Sequence, residues 1–243
     1  MNFQNKTILI TGANRGIGRA LVEEALRRGA KKIYAGTRSG KLEIADSRVT
    51  PLTLDVTNIA QIQTAAEKVE SLDVLINNAG VALYDDLTDR ALLEQSLAVN
   101  FFGMHGVTQA FLPHLRRSRG AIVNNLSLVA LAPLPIIPGY SISKAAAANM
   151  TQSLRALLAG QGVTVHAVFL GPVDTDMNRG FEIPKASPES AAHGILDDVE
   201  KSEEDIFPDP ASSSVAEGWR NGAAKALERQ FAAFVPGAAA NVA

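Results

Sequence analysis

The sequence predicts an α/β domain in which short strands alternate with helices. Apolar, β-branched runs of about five residues recur between Lys6 and Leu170, and most precede stretches with helical spacing of apolar residues. The first run passes through a turn rich in glycine directly into such a helical stretch. With 243 residues, the chain is long enough for one domain with a substantial core. We therefore expect a single domain over residues 1–243, in which residues 236–243 form a flexible tail.

Composition excludes several classes of partner and site. Hydrophobic residues make up 47% of the chain, charged residues 20%, and the net charge is −2, so neither disorder nor nucleic-acid binding is expected. The sequence has no cysteine for disulfides or thiolate metal sites, and its four histidines lack the spacing of metal ligands. No signal peptide or membrane-spanning run is evident. We expect a cytoplasmic protein with a small-molecule partner, without a metal, a membrane partner or a nucleic-acid partner.

A glycine-rich turn follows the first predicted strand, Lys6–Thr11. Glycines allow the backbone to turn tightly and approach a pyrophosphate, and the unpaired N–H groups at the start of the next helix attract its charge. A turn without a ligand is the alternative, but the strand and helix on either side favour dinucleotide binding. The residues expected to contact the dinucleotide here are Gly12, Asn14, Arg15, Gly16, Ile17 and Gly18.

The end of the second predicted strand, Lys32–Thr37, indicates which form of the cofactor binds. An acidic residue there would accept a hydrogen bond from a ribose 2′-hydroxyl, whereas a positive residue suits a 2′-phosphate. The sequence has Thr37 and Arg38, and Arg15 in the glycine-rich turn could reach the same phosphate. Either arginine alone could be a solvated surface charge, but the two together, without an acid, predict NADP rather than NAD.

A third strand is predicted to end beside the same cofactor. The polar segment Ser39–Arg48 is too short for more than one or two helical turns, and the strand Val49–Leu54 follows it. This strand leads to Asp55 and Val56. Asp55 could face an adenine amino group or cap the helix that starts near Asn58, and both interpretations stay open.

Asparagines mark the next two elements. The fourth predicted strand, Asp73–Ile76, ends in Asn77-Asn78-Ala79-Gly80, where small residues would let a ribose lie against the backbone. Asparagine side chains can also tie neighbouring strands together. A helical periodicity then runs over Asp89–Leu115 with Asn100 in its middle, although asparagine is a poor helix former. A buried asparagine must find partners, so Asn100 is either a structural bracket or part of a site.

An unusually apolar loop, Leu128–Gly139, links Ser127 at the end of the fifth predicted strand to a helix that starts at Tyr140. Because loops normally lie at the surface, an apolar one is expected to line a pocket or an interface. Tyr140 and Lys144 share one face of the helix. A tyrosine titrates near pH ~10, and a fixed positive charge would favour its phenolate. Such pairs also occur on solvated helices, so the catalytic interpretation depends on the rest of the chain.

With the strand Val163–Leu170 and the residues after it, the chain resembles the short-chain dehydrogenase/reductase family. The motifs that carry the resemblance are Thr11-Gly12-x-x-x-Gly16-x-Gly18, Asn77-Asn78-Ala79-Gly80, Asn100, Ser127, Tyr140-x-x-x-Lys144 and Gly171-Pro172-x-x-Thr175. The resemblance implies a doubly wound Rossmann fold with a mostly parallel, seven-stranded sheet. It also implies NAD or NADP as the cofactor, of which the two arginines favour NADP(H), and a homodimer or homotetramer.

The resemblance further implies the roles of four catalytic residues. Ser127 would polarise a substrate carbonyl, Tyr140 would act as general acid or base, and Lys144 would lower the pKa of Tyr140. Asn100 would hold a water in a proton relay. The cofactor contacts implied beyond the glycine-rich turn and the strand ends are Asn78, Ala79, Gly80, Tyr140, Lys144, Pro172, Val173, Thr175 and Met177.

We therefore expect an NADPH-dependent carbonyl reductase or alcohol dehydrogenase that acts on a hydrophobic ketone, aldehyde or secondary alcohol. The residues expected to contact this substrate are Leu83, Tyr84, Ser127, Val129, Leu134, Ile137 and Tyr140. Arg179 keeps an anionic substrate group possible. The alternative is a non-catalytic NADP-binding redox sensor or scaffold with the same fold.

Two stretches depart from the family pattern. Asn178–Lys185 is short compared with the substrate lid of many relatives, which predicts a more open pocket. Phe207-Pro208-Asp209-Pro210 stands where many relatives have Val-Asp-Gly-Gly, and Ser212–Phe234 predicts one amphipathic helix. Its apolar stripe is expected to pack in the core, with a substrate gate or a partner surface as alternatives. The stripe consists of Val215, Trp219, Ala223, Leu227 and Phe231.

Overall fold

The computed structural model describes residues 1–235, so the predicted tail at residues 236–243 lies outside the described residues. Its centre is a seven-stranded sheet with the strand order β3-β2-β1-β4-β5-β6-β7, and every neighbouring pair is parallel. This confirms the predicted doubly wound fold. The strands are β1 (Thr7–Thr11), β2 (Lys32–Thr37), β3 (Val49–Thr53), β4 (Val74–Asn77), β5 (Ala121–Asn125), β6 (Thr164–Val168) and β7 (Asp205–Ile206).

Helices cover both faces of the sheet. They are α1 (Gly16–Arg27), α2 (Ile59–Lys68), α3 (Arg90–Leu97), α4 (Met104–Ser118), α5 (Pro138–Ala159), α6 (Pro188–Glu200), α7 (Pro210–Arg220) and α8 (Ala223–Ala232). In β1, Ile8 and Ile10 belong to the hydrophobic cluster under α1 and α6, whereas Leu9 belongs to the cluster under α2 and α4. Because both faces are covered, the central strands are apolar throughout rather than alternating. None of the helices in residues 1–235 is long and apolar enough to cross a bilayer.

The strand order reverses between β1 and β4, which are neighbours in the sheet although β2 and β3 separate them in sequence. Ile8 pairs with Val74 and Ile10 with Ile76, so the two strands end side by side. The glycine-rich turn after β1 and the asparagine turn after β4 therefore meet at one edge. A crevice at such a switch point is where doubly wound sheets bind ligands.

The long helical stretch predicted around Asn100 is present, but its middle is a π-helical segment, Ala98–Gly103, between α3 and α4. The wider turn places the Asn100 side chain in the interior, where it is fully buried. Single π-helical turns occur frequently at functional sites. At the end of this segment, a Cβ on Gly103 would lie 2.7 Å from Cγ2 of Val56, so the helix and the end of β3 pack closely.

The polar segment between β2 and β3 contains turns rather than a helix. Gly40 has a positive φ of 67°, a conformation in which glycine is favoured. Asp46 closes the segment by accepting hydrogen bonds from the backbone and guanidinium groups of Arg48. The sequence predicted at most two helical turns in this segment. The structure has none, and local polar contacts hold the segment instead.

The prediction of one helix over Ser212–Phe234 is wrong, because α7 ends at Arg220 and α8 begins at Ala223. Gly222 is the extended N-cap of α8, and glycine is a poor helix former. The expectation that the apolar stripe packs in the core also fails. Val215, Leu227 and Phe231 are exposed by 42%, 46% and 60%, and Trp219 alone of the stripe packs against the buried Phe169.

A buried cluster of charges holds α8 instead. Lys225 is 2% exposed, and its Nζ lies 2.9 Å from Asp205 Oδ2 and 3.1 Å from Glu228 Oε2. Arg155 of α5 reaches Asp205 Oδ1 at 2.8 Å and also pairs with Glu228. Burial acts to raise the pKa of Asp205, but the charges of Arg155 and Lys225 outweigh it and hold that pKa below its ordinary value. The helix is therefore docked through charge complementarity.

Replacing Lys225 with methionine is expected to destabilise the fold by about 3 kcal/mol, because the variant leaves buried carboxylates with too little positive charge. The measurement is the urea midpoint of unfolding at neutral pH. Lys201→Met is the matched control, since Lys201 pairs with Asp198 at the surface and is 63% exposed. The control should keep the wild-type midpoint. Equal midpoints for both variants would contradict the role of the buried cluster.

Candidate active site

Three predicted site residues converge where β5 and α5 meet. Ser127 directly follows Leu126 after β5, and its hydroxyl accepts a hydrogen bond from Val129 N at 3.3 Å. Tyr140 lies in the first turn of α5, and Lys144 follows one turn later. Burial raises the pKa of Tyr140 to about 12, and a hydrogen bond with Ser127 offsets only part of this effect. The phenol is consequently protonated at neutral pH.

Lys144 is the cation beside this phenol. Its Nζ donates to the backbone oxygen of Asn125 at 2.7 Å and lies 5.8 Å from the centre of the Tyr140 ring. Burial lowers the pKa of Lys144 to about 8. The pKa of Tyr140 is thus above its ordinary value, and burial is the largest cause, because the phenolate loses its solvation. The role of Lys144 in lowering that pKa stays a prediction.

Asn100 acts as a bracket between two parts of the site. Its Oδ1 accepts from Val81 N at 2.9 Å, and its Nδ2 donates to Val81 O at 2.8 Å and to Ser143 Oγ at 2.9 Å. The segment after β4 is thereby held against α5. Gly80 lies between Asn100 and Lys144, since a Cβ on it would be 3.2 Å from Asn100 Oδ1 and 3.7 Å from Lys144 Nζ.

Asparagines and a threonine fasten the ends of three strands to one another. Thr11 Oγ1 accepts from the backbone N–H groups of Asn78 and Ala79, both at 3.0 Å. Asn78 Nδ2 donates to Thr11 O at 2.9 Å, and its Oδ1 accepts from Asn125 Nδ2 at 2.9 Å. Asn77 adds a bond from its Nδ2 to Asn124 Oδ1 at 2.9 Å. The end of the asparagine turn cannot shift without breaking these bonds.

Sequence reasoning did not identify Asn124 and Asn125 as site residues. Both are buried at the end of β5, and Asn125 also anchors Lys144. The available signal was the presence of two consecutive amides in an otherwise apolar strand. Buried amides need specific partners, so such a pair in a central strand indicates a polar network nearby.

The glycine-rich turn fits a pyrophosphate. A Cβ on Gly18 would lie 2.1 Å from Gly12 O, and Gly12 and Gly16 have positive φ values of 66° and 51°. Helix α1 begins at Gly16, and its N-cap Arg15 makes no capping hydrogen bond with its side chain. The first N–H groups of α1 therefore have no side-chain acceptor and are suited to bind an anion. Asn14 and Ile17 belong to the same turn, Asn14 exposed and Ile17 half-buried.

The two arginines predicted to bind a 2′-phosphate have different surroundings. Arg38 is exposed directly after Thr37, which is buried at the end of β2. Arg15 Nη1 lies 3.1 Å from Asp176 Oδ2 in the short turn that follows Thr175, so its charge already has a partner. The structure does not show the two guanidinium groups converging on one point.

Asp55 and Val56 follow β3. Asp55 Oδ1 accepts from Thr57 N at 2.9 Å and from Thr57 Oγ1 at 2.7 Å, forming a local turn. The cap of α2 is Asn58, whose side chain accepts from Gln61 N, so the interpretation of Asp55 as the helix cap is wrong. Val56 is buried against Gly103 and contributes to the core.

A cavity of about 660 Å³ opens beside Ser127, Tyr140 and Lys144. Its walls are mainly apolar. Of the predicted wall residues, Tyr84, Val129, Leu134 and Ile137 line it, as do Asn78, Gly80, Pro172, Val173, Thr175 and Met177 from the predicted cofactor set. Leu83 does not line the cavity, contrary to prediction. Its neighbours Ala82 and Tyr84 do. Val215 of α7 and Leu131 also contribute to the walls.

The short segment after Asn178 contributes two side chains to the cavity walls. Phe181 and Ile183 line the cavity, and the Phe181 ring stacks on Tyr84 with centroids 6.0 Å apart. The base of the segment is fixed by hydrogen bonds from Ala186 N to Pro172 O at 3.0 Å and from Asp174 N to Ala186 O at 2.8 Å. The prediction of a pocket more open than in many relatives stays a prediction. The described residues contain no cluster of three or more histidines or acids that could hold a metal ion.

Asp85 links the cavity wall to the first turn of α5. Its Oδ2 accepts from Gly139 N at 3.0 Å, and the N-cap of this helix, Ile137, has no side chain that could do so. A Cβ on Gly139 would lie 2.9 Å from the same oxygen, which favours glycine there. Asp85 therefore caps the helix that carries Tyr140, although it lies 54 residues upstream of Gly139.

Comparison with known proteins places the chain among short chain dehydrogenases. A family model with that description matches residues 6–185. The 11-beta-hydroxysteroid dehydrogenase-like protein 3 of Arabidopsis thaliana is 34% identical over 199 residues, covering 76% of this chain and 64% of that protein. The chain thus spans less than two thirds of the length of that relative. The 3-oxoacyl-acyl-carrier-protein reductase FabG of Escherichia coli K12 is 34% identical over 193 residues, covering 74% and 79%.

Solved structures give the same result. A short chain dehydrogenase from Burkholderia cenocepacia J2315, crystallised in complex with NADP, superposes with a TM-score of 0.87 and 35% identity. The superposition covers 95% of this chain and 98% of that one. The similarity therefore includes the C-terminal region beyond the family-model match.

Replacing Asp85 with alanine is expected to loosen the first turn of α5, because Gly139 N loses its acceptor. Amide hydrogen exchange at residues 139–141 should become about fivefold faster, as expected for a lost helix cap. Asp85→Asn keeps a carbonyl acceptor and should retain most of the protection. Asp86→Ala is the control, since the Asp86 side chain bonds only to Thr88 among the described residues. Identical exchange in both alanine variants would refute the cap.

Proposed function

The chain belongs to the short chain dehydrogenase family, and from this premise we propose that it is an NADP(H)-dependent oxidoreductase. The proposed reaction is reduction of a hydrophobic ketone or aldehyde, or oxidation of the corresponding secondary alcohol. The observation that carries the proposal is the placement of Ser127, Tyr140 and Lys144 at one end of an apolar cavity. The same proposal includes a cytoplasmic homodimer or homotetramer.

In the reducing direction, the chain supplies a hydrogen-bond donor and a proton. Ser127 donates to the carbonyl oxygen, where negative charge develops, and Tyr140 transfers its proton to that oxygen. A pKa of about 12 keeps Tyr140 in the protonated form that this step requires. Bound NADPH supplies the hydride that the carbonyl carbon receives. The product is the alcohol, and the enzyme is left with a tyrosinate.

Lys144 stabilises that tyrosinate. The carbonyl of Asn125 fixes the ammonium in place, and a pKa of about 8 leaves Lys144 largely charged at neutral pH. In the same proposal, a water near Asn100 returns a proton to the tyrosinate through Lys144. Asn100 supports the arrangement directly, because it holds Ser143 and the segment after β4 in position.

The walls favour a neutral, apolar substrate. Leu131, Leu134 and Ile137 come from the apolar loop, and the stacked rings of Tyr84 and Phe181 also line the cavity. Arg179, which could have bound an anionic substrate group, forms an ion pair with Asp176. The charge of Arg179 is therefore already compensated, so a substrate anion bound near it would gain less electrostatic stabilisation.

The proposal is tested by following NADPH oxidation with a panel of hydrophobic ketones, aldehydes and diketones. Tyr140→Phe should reduce turnover by at least about 100-fold, because the proton donor is lost, while NADPH affinity changes less than about twofold. Tyr84→Phe is the control, since it removes a phenol of the same cavity that has no role in proton transfer. Normal turnover by Tyr140→Phe would disprove the assignment of the acid. Tight NADPH binding by the wild type without turnover on any substrate would support the non-catalytic alternative.

Arg38 is the proposed ligand of the 2′-phosphate, because Arg15 is paired with Asp176. Arg38→Asp should weaken NADPH binding by about 30-fold and change NADH binding less than about threefold, as expected for one charge-assisted contact. Fluorescence titration of both cofactors provides the measurement. Arg15→Ala serves as the comparison and should have a smaller effect. An unchanged ratio of the two affinities in Arg38→Asp would place the phosphate elsewhere.

A further inference from the structure

Val215 brings helix α7 to the wall of the catalytic cavity. Within the described residues, it is the single residue after Ile183 that lines this cavity. Its side chain is 42% exposed, so it stands at the rim, where the cavity meets solvent. The cavity volume of about 660 Å³ lies in the range of pockets that bury ligands larger than a few carbon atoms. A substrate that fills such a cavity reaches the rim.

Val215 belongs to the substrate side of the cavity. Its neighbour Ala216 is buried in a hydrophobic cluster against which Leu128 and Leu131 of the apolar loop pack. Both leucines line the cavity and follow closely after Ser127, the proposed hydrogen-bond donor to the substrate carbonyl. Val215 therefore continues the apolar surface that this loop presents to the substrate.

Asp209 fixes the start of α7 against the loop that follows β6. Its carboxylate is buried and caps the helix by accepting from Ala211 N at 3.1 Å and from Ser212 N at 3.0 Å. The same carboxylate accepts from Gly171 N at 2.8 Å. A Cβ on Gly171 would lie 2.4 Å from Asp209 Oδ1, so this approach depends on glycine. Because Gly171 lines the cavity, the position of α7 is coupled to the cavity wall.

The later turns of α7 are fixed as well. Ser212, Ala216 and Trp219 share one face of the helix, and the first two are buried. Trp219 Nε1 donates to Asp205 Oδ2 at 2.9 Å, and its ring packs on Phe169 with centroids 5.4 Å apart. A helix held at both ends does not retreat from a bulkier side chain on its cavity side without breaking buried contacts.

We propose that Val215 is a specificity-determining residue, which limits the size of the apolar substituent that a ketone substrate places along the Leu128–Leu131 wall. The inference rests on the proposed function, which places the substrate carbonyl at Ser127, and it deepens that function. It narrows the substrate class to carbonyl compounds with a bulky apolar group directed toward α7. Valine offers neither a hydrogen bond nor a charge, so shape and apolar contact are what it selects.

Two substitutions of Val215 change the available space in opposite directions, since Val215→Phe reduces it and Val215→Ala enlarges it. Calorimetric titration of the protein saturated with NADP⁺ would compare a small ketone, butanone, with a bulky one, adamantyl methyl ketone. The oxidised cofactor has no hydride to transfer, so binding is measured without turnover. Ser214→Phe is the matched control, because Ser214 is exposed on the same helix and does not line the cavity.

The readout is the affinity for the bulky ketone relative to that for butanone. Val215→Phe should lower this ratio about tenfold, and Val215→Ala should raise it about threefold, as expected for small volume changes in an apolar pocket. Ser214→Phe should keep the wild-type ratio. A general loosening of the fold would shift both Val215 variants in the same direction, and that result would overturn the inference. So would unchanged ratios, an equal shift in Ser214→Phe, or a wild-type complex that binds neither ketone.

Failure of the proposed function would give a different result. Ketones that bind the NADP⁺ complex but are not reduced with NADPH would refute the oxidoreductase and leave the binding role of Val215 intact. Conversely, turnover with the same size preference in the wild type and in both Val215 variants would retain the oxidoreductase and remove the inference.

Discussion

Hydrogen bonds among Thr11, Asn78 and Asn125 hold the carboxyl ends of β1, β4 and β5 together. The glycine-rich turn lies on one side of these bonds, and the catalytic cavity lies on the other. A parallel sheet leaves its strand ends as separate loops, each of which would otherwise fluctuate independently. Here a few amide and hydroxyl groups convert three loop starts into one rigid edge. The positions of Lys144 and Ser127 depend on that edge, because both are placed by β5.

Burial then determines the chemistry that this edge supports. Tyr140 and Lys144 are both removed from water, and each pKa shifts toward the neutral form of its group. A neutral phenol is the form that can donate a proton. A charged ammonium remains available at neutral pH to stabilise the phenolate that follows. The site is thus arranged for proton donation first and charge stabilisation second, and the apolar walls strengthen both effects by keeping water away.

Features that depend on a few neighbouring residues could be predicted from the sequence. The strand and helix on either side of the glycine-rich turn and the spacing of Tyr140 and Lys144 belong to this group. Alternating elements and glycine positions are local signals, and the family resemblance supplied the number of strands and their mostly parallel arrangement. Asn100 was correctly identified as a buried residue that needs partners, but its partners could not be named from the sequence alone.

The features that escaped prediction depend on residues far apart in the chain. Asp85 caps α5 across 54 residues, and Arg15 pairs with Asp176 across 161. The break between α7 and α8 was missed because the apolar spacing there imitates one amphipathic helix. The buried Lys225 determines how α8 docks on the rest of the domain. No pattern of hydrophobicity indicates that a lysine will be buried.

The charged docking of α8 has a consequence for how this chain can vary. Arg155, Asp205, Lys225 and Glu228 form one electrostatic unit, although 73 residues separate its first and last members. An apolar contact tolerates replacement by another apolar residue of similar volume. A buried pair of charges does not, because the loss of one leaves the other without compensation. These four positions are therefore expected to change together during evolution or not at all, whereas the exposed residues of the same helix are free to diverge.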